Sequence, residues 1–249
     1  MATQPNYKGA LTQYMTHPEE WTYHIPEGMT TMEGALVEPA AVGMHAAVLG
    51  GAQPGKSIVI LGGGTIGLMV LQACISLGAT DITVVDVIEK RLELAKKLGA
   101  ARVINGKEED TVAVLRSEEM YGDHGVDLVF EAAGAVFTAQ QAVQIVSRGG
   151  KIMMVGTQSK PVPIDFLKIN REVTIQTSFR YCNNYPQTIE AIRSGKFNVK
   201  DMVTHVYDYK DVQQAFMDAI DPEKKTDMVK GVILSLIHIS EPTRLALIS

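Results

Sequence analysis

The chain is poor in cysteine and in basic charge. Its two cysteines, Cys74 and Cys182, make no disulfide framework, and they are too few and too far apart for a four-cysteine structural zinc site. A reducing compartment, and with it a cytoplasmic location, is the expectation. Lysine and arginine number 23 against 28 aspartates and glutamates, a net charge of −5. That balance supplies no concentrated basic surface, so neither nucleic acid nor an acidic membrane is an expected partner. No secretory signal is expected from MATQPNYKGALTQYMTH, which lacks an apolar core behind a basic start. The charge-free stretch 58–80 is long enough to cross a bilayer, but it carries Gly62, Gly63 and Gly64 near its start. Glycines are unfavourable in a helix interior, so a buried strand, a glycine turn and a buried helix account for it better. With 46% apolar and 20% charged residues the chain has enough material for a core, which excludes a disordered tail protein.

What is present is an alternation. Runs rich in Val and Ile predict strands at 58–61, 82–85, 102–104, 126–130, 151–155 and 173–177. Between the first five lie helical segments at 66–77, 89–98, 107–120 and 135–146. Strand and helix repeated in this way predict an α/β fold, a parallel six-stranded sheet doubly wound by helices on both faces. The flanks differ. Residues 1–44 hold four prolines and no long helical pattern before Thr31, and 181–234 predict two helices and a final strand near 229–234. These divisions set the expected domains: 1–44, a cofactor domain at 45–180, and a return at 181–234. The last segment, SLIHISEPTRLALIS (235–249), fits neither pattern and resembles translated adapter or vector read-through.

Chemistry concentrates in one loop. Gly62, Gly64 and Gly67 have the G-x-G-x-x-G spacing, directly after strand SIVIL and at the opening of a helix. Gly62 permits a tight turn, Gly64 lets a diphosphate approach the backbone, and Gly67 lets the helix pack on the strand. The helix N-terminus then offers N–H groups and partial positive charge to the phosphates. Asp86 ends the next strand. A carboxylate there accepts from both hydroxyls of an adenine ribose and repels a 2′-phosphate, which favours NAD over NADP. Arg91, five residues on, fits a place over the adenine or ribose, or tolerance of a phosphate. Asp86 also fits a cap for the helix beginning near Ile88. A methyltransferase shares the sheet and a glycine loop, but Leu61 stands where its usual acid would lead in.

Three runs, GALVEPAAVGMHA (34–46), PGKSIVILGGGTIGL (54–68) and DITVVDVIEKRLELAKKLGA (81–100), resemble the medium-chain zinc-dependent alcohol dehydrogenases. Within them, SFRYCNNYP (178–186) followed by SGKFNVKDMVTH (194–205) is similar to the sorbitol, L-iditol and xylitol (polyol) dehydrogenases. The resemblance implies NAD-dependent oxidation of a secondary alcohol of a polyol to a ketose, with zinc polarising the alcohol oxygen. It also implies remnants of a discontinuous GroES-like catalytic domain in the flanks, and a homo-oligomer, a tetramer in the family. By the same resemblance Glu38 faces the zinc-bound water and substrate, and Arg180 and Tyr181 contact substrate hydroxyls. Ile66, Asp86, Arg91, Val155, Gly156, Thr157 and Phe179 join the glycines in holding the cofactor. Each has a plainer reading: Glu38 as a helix cap, Arg180 and Tyr181 as a surface pair, Gly156 as a turn residue.

The family's zinc ligands, an early cysteine and a later His-Glu pair, have no counterpart here. No cysteine precedes Cys74, and no His-Glu dipeptide occurs. The expectation is therefore a C-terminal portion that binds NAD, carries no first-shell metal ligand, and alone has little or no dehydrogenase activity. Two other readings are a non-catalytic NAD-binding module and a zinc-free NADPH-dependent reductase; Asp86 speaks against the second.

Overall fold

A computed structural model describes residues 11–12, 15–169, 171–234 and 247–248. In chain order the elements begin with β1 (Tyr23–His24), α1 (Thr31–Ala35), α2 (Val37–Gly50), β2 (Ser57–Leu61), α3 (Thr65–Ser76) and β3 (Asp81–Asp86). Next come α4 (Glu89–Lys97), β4 (Arg102–Asn105), α5 (Thr111–Leu115), β5 (Val126–Glu131), α6 (Val136–Ile145) and β6 (Val146–Met154). The series ends with β7 (Thr174–Thr177), α7 (Tyr185–Arg193), β8 (Val203–Asp208), α8 (Val212–Ile220), β9 (Lys230–Leu234) and β10 (Leu247–Ile248). The read-through resemblance at 235–249 lies outside the described residues, except for β10, which pairs antiparallel with β1.

Strands β2 to β7 form one six-stranded sheet in the order β4-β3-β2-β5-β6-β7, every pairing parallel. The order reverses between β2 and β5. Chain leaving these two strands diverges to opposite sides and opens a crevice at their C-terminal ends. The strands read as unbroken apolar runs because both faces are covered. In β2, Ile58 and Ile60 join a core with α2, α3 and α7, while Val59 and Leu61 join a second core beneath α5 and α6. The doubly wound architecture is thus the one the sequence predicts.

Several segments differ from expectation, among them β8, a strand within 181–234 beyond the one predicted near 229–234. Helix α2 is longer than the helix start that the sequence offers at Glu38, which lies in its first turn and does not cap it. Its apolar residues surround the axis, with Val37, Ala40, Ala41, Met44, Ala46 and Ala47 all buried, so no amphipathic period marks it. It runs through the expected boundary at 44/45. The helix predicted over 107–120 shrinks to α5. Asp110 caps it by accepting from Val112 N and Ala113 N, and beyond Leu115 the chain turns back around Arg116, whose guanidinium donates to the carbonyls of Gly122, Gln144 and Val146. Strand β6 begins at Val146, and its register against β5 shifts between Val126 and Leu128, which accommodates the extra residues.

The C-terminal return does not build a separate core. Ile189 and Ile192 of α7, Phe197, Met202 and Val232 pack into the core of α2 and α3. Beside it, β8 and β9 make a small parallel pair. Among the described residues no helix is long and apolar enough to cross a membrane.

Candidate functional site

The glycine loop lies at the reversal point of the sheet. Gly62 sits at φ +111°, and a Cβ there would stand 2.8 Å from Ala133 N. A Cβ on Gly67 would fall 1.8 Å from the Gly62 carbonyl oxygen, so helix α3 seats on β2 only with glycine at that point. Gly64 is different: the nearest atom to a Cβ there is Arg91 Nη1 at 3.9 Å. The middle glycine therefore faces open space, as close approach of a diphosphate demands. No side chain caps α3, and half-buried Ile66 stands on its first turn. The Thr65 hydroxyl donates to the Val229 carbonyl, which ties this turn to the C-terminal return.

Asp86 is 8% exposed and points at that loop. Its Oδ2 accepts from Gly63 N at 2.7 Å, and its Oδ1 accepts from Val87 N at 2.8 Å and Ile88 N at 2.9 Å. Oδ1 turns the chain ahead of α4, whose N-cap Ile88 has no side-chain cap, so Asp86 is not the cap of that helix. Oδ2 holds one backbone hydrogen bond and has a lone pair left over. Arg91 Nη1 lies 3.6 Å from Oδ2, and its Nε is buried with no partner among the described residues. Its guanidinium therefore sits beside Asp86 and Gly64.

Across the crevice, Val155 N and Gly156 N both donate to the Glu131 carbonyl at 2.8 Å, while Thr157 is exposed. Sequence reasoning passed over Glu131, a fully buried carboxylate at the end of β5. Phe179 is 80% exposed, and the Arg180 guanidinium lies 5.2 Å from its ring centroid. Arg180 and Asn183 have φ +53° and +52°, left-handed conformations that cost side-chain-bearing residues energy and bend the segment 179–184 tightly.

Glu38 stands half-buried in the first turn of α2. Close to it is a cluster of tyrosines. The Tyr185 ring stacks on Tyr23 at 5.1 Å and meets the edge of Tyr181 at 5.0 Å. Burial pushes the Tyr185 phenol well above its ordinary range, and hydrogen bonding with Tyr181 and the charge of Glu38 push the same way. Asn184 Nδ2 donates to the Ala41 carbonyl at 2.8 Å and so pins this loop to the helix that carries Glu38. Glu38 and Tyr181 therefore gather around Tyr185, while the expected partner, Arg180, faces outward. Tyr185 itself was missed; its only signal was an aromatic ring four residues after Tyr181.

Zinc does not fit the described residues: they contain no group of three or more His, Cys, Asp or Glu that could hold a metal. Cys74 is wholly buried in α3, where burial pushes its thiol above its ordinary range, and Cys182 is exposed and alone.

The family described as zinc-binding dehydrogenase matches residues 65–194, more than half of the chain. An uncharacterized zinc-type alcohol dehydrogenase-like protein of Escherichia coli (strain K12) is 64% identical over 94% of this chain and 66% of its own length. Sorbitol dehydrogenase of Bacillus subtilis (strain 168) is 39% identical over 88% of this chain and 62% of its own. A crystal structure of an Escherichia coli oxidoreductase/dehydrogenase of unknown specificity superposes with a TM-score of 0.91 at 62% identity, covering 94% of this chain and 67% of that one. The chain thus spans about two thirds of the length of these relatives. With the glycine loop, the reversal of strand order and the matched span in agreement, the chain belongs to the zinc-binding dehydrogenase family.

Proposed function

We propose that this chain is the NAD-holding part of an alcohol dehydrogenase that oxidises a secondary hydroxyl of a polyol to a ketone. The observation that carries the cofactor reading is the Asp86 carboxylate beside an open Gly64. It presents an acceptor for a bare ribose diol and negative charge against a 2′-phosphate. Bound NAD supplies the ring carbon that takes up hydride. The chain's own residues do the rest of the holding: uncapped N–H groups of α3 take the diphosphate, Asp86 Oδ2 the adenine ribose, and Arg91 Nη1 a neighbouring acceptor. In this reading residues 45–180 are the cofactor domain, and 1–44 and 181–234 belong to a second unit that shares α2 with it.

The polyol reading rests on Glu38 and Tyr181 gathered at one place, on Arg180 nearby in the chain, and on the sorbitol dehydrogenase relative. Polar groups of this kind suit a substrate with several hydroxyls.

The test is NADH formation with sorbitol, xylitol, L-iditol and a primary alcohol. It is run on the chain alone, with added zinc or with a chelator, and on the chain extended by the N-terminal part of the Bacillus subtilis relative. Turnover is expected only in the extended protein and only with the polyols. Turnover by the chain alone in chelator, or a preference for the primary alcohol, would overturn the proposal.

A further inference from the structure

Glu131 ends β5 directly opposite Leu61, the residue before the glycine loop. Its side chain is fully buried, and both oxygens are used. Oε1 accepts from Ala133 N at 3.0 Å, Gly134 N at 2.9 Å and Thr138 Oγ1 at 2.7 Å. Oε2 accepts from Gln158 Nε2 at 2.7 Å. With the two donors on its main-chain carbonyl, this one residue holds both the loop after β5 and the loop after β6. Those loops touch without room for side chains: a Cβ on Gly156 would lie 2.3 Å from Gly134 N, and one on Gly134 2.6 Å from the Thr157 carbonyl oxygen. The first loop in turn abuts Gly62.

The crevice has two sides. Asp86, at the end of β3, marks the side for the adenine ribose. The diphosphate sits at the end of β2, so the second nucleoside half extends over the ends of β5 and β6. That is where Glu131 gathers its six donors. We infer that Glu131 is a positioning residue for the nicotinamide half of the dinucleotide: it fixes the 132–135 and 155–158 loops that receive this half and leaves the adenine half to Asp86. The inference rests on the NAD reading above. A buried carboxylate with every oxygen paired holds its partners firmly, and its removal leaves four donors without their acceptor at once.

The test is calorimetric titration with NAD and with ADP, which carries the adenine ribose and diphosphate but lacks the nicotinamide riboside. The variants are Glu131→Ala, Gln158→Ala and Glu131→Gln. Loss of these hydrogen bonds is expected to weaken NAD about ten-fold or more in Glu131→Ala and Gln158→Ala, with ADP affinity unchanged within about two-fold. Glu131→Gln is expected to keep most NAD affinity, because Gln158 has a buried Oε1 without a partner and can turn it toward the new amide. Should Glu131→Ala fail to fold, Gln158→Ala, half-buried at the loop edge, gives the same reading. Parallel loss of NAD and ADP, or no loss of either in folded variants, would overturn the inference. Absence of both ligands from the unaltered chain would instead overturn the NAD reading, and this inference with it.

Discussion

Two alanines in one loop separate folding from binding. Gly67→Ala places a Cβ 1.8 Å from the Gly62 carbonyl oxygen and 2.9 Å from its carbonyl carbon. Both are backbone atoms in the turn that starts α3, and neither can swing aside as a side chain would. Overpacking of a tight site costs roughly 1–3 kcal/mol, and a main-chain clash belongs at the upper end or beyond. For a chain of this size each kcal/mol lowers the melting temperature by about 2–4 °C, so a fall on the order of 5–10 °C is expected. Gly64→Ala adds the same methyl group where only Arg91 Nη1 lies within 4 Å, at 3.9 Å, and at φ −72°, which any residue adopts. Its melting temperature should therefore match the unaltered chain within about 1–2 °C, in line with substitutions that meet no packed neighbour. Yet the new methyl occupies the space a diphosphate needs, so NAD affinity should drop by about ten-fold or more. Differential scanning fluorimetry with and without NAD reads both effects. Equal destabilisation by the two substitutions, or undiminished NAD binding by Gly64→Ala, would refute the reasoning.

Two further outcomes follow from buried and paired groups. Burial works to raise the Asp127 carboxyl, but hydrogen bonds from Ser57 N and Oγ, with Lys56 and His124 nearby, outweigh it and hold the group below its ordinary value. A depressed folded-state value means that this stabilisation is complete above the unfolded value of about 3.9 and is lost as pH falls below it. Urea midpoints measured across that range should therefore fall more steeply in the unaltered chain than in Asp127→Asn; parallel curves would contradict it. Tyr185 titrates above the ordinary phenol value of about 10, so Tyr185→Phe should leave the ultraviolet absorbance titration unchanged up to about pH 11. Loss of one ionising phenol in that range would show that burial, with Tyr181 and Glu38 beside it, does not raise Tyr185.

The sheet was legible because its signal is local. Most strands are short Val- and Ile-rich runs closed by glycine or a charged residue, and the glycine loop with Asp86 falls within 25 residues of chain, 62–86. Helix α2 was hidden for the opposite reason. Apolar even on its partly exposed face at Val42, Val48 and Leu49, it shows no periodic change from apolar to polar, and its clearest marker was the Thr30–Glu33 capping box one helix earlier. The overlong helix at 107–120 failed because nothing local announces that Arg116 will gather carbonyls from Gly122, Gln144 and Val146 and turn the chain. Glu131 and Tyr185 were out of reach in kind. Glu131 matters because Gln158 returns to it from 27 positions away, and Tyr185 because Tyr23 and Glu38 arrive from the other end of the chain.

Calorimetric titration of the unaltered chain and of Asp86→Ser with NAD and NADP is the most direct measurement of the central claim. A charge-assisted hydrogen bond to a ribose hydroxyl contributes about 1.5–3 kcal/mol, so the unaltered chain should prefer NAD by about ten-fold or more, and Asp86→Ser should erase that preference. Tighter binding of NADP than NAD by the unaltered chain, or a preference for NAD that survives the loss of Asp86, would contradict the account.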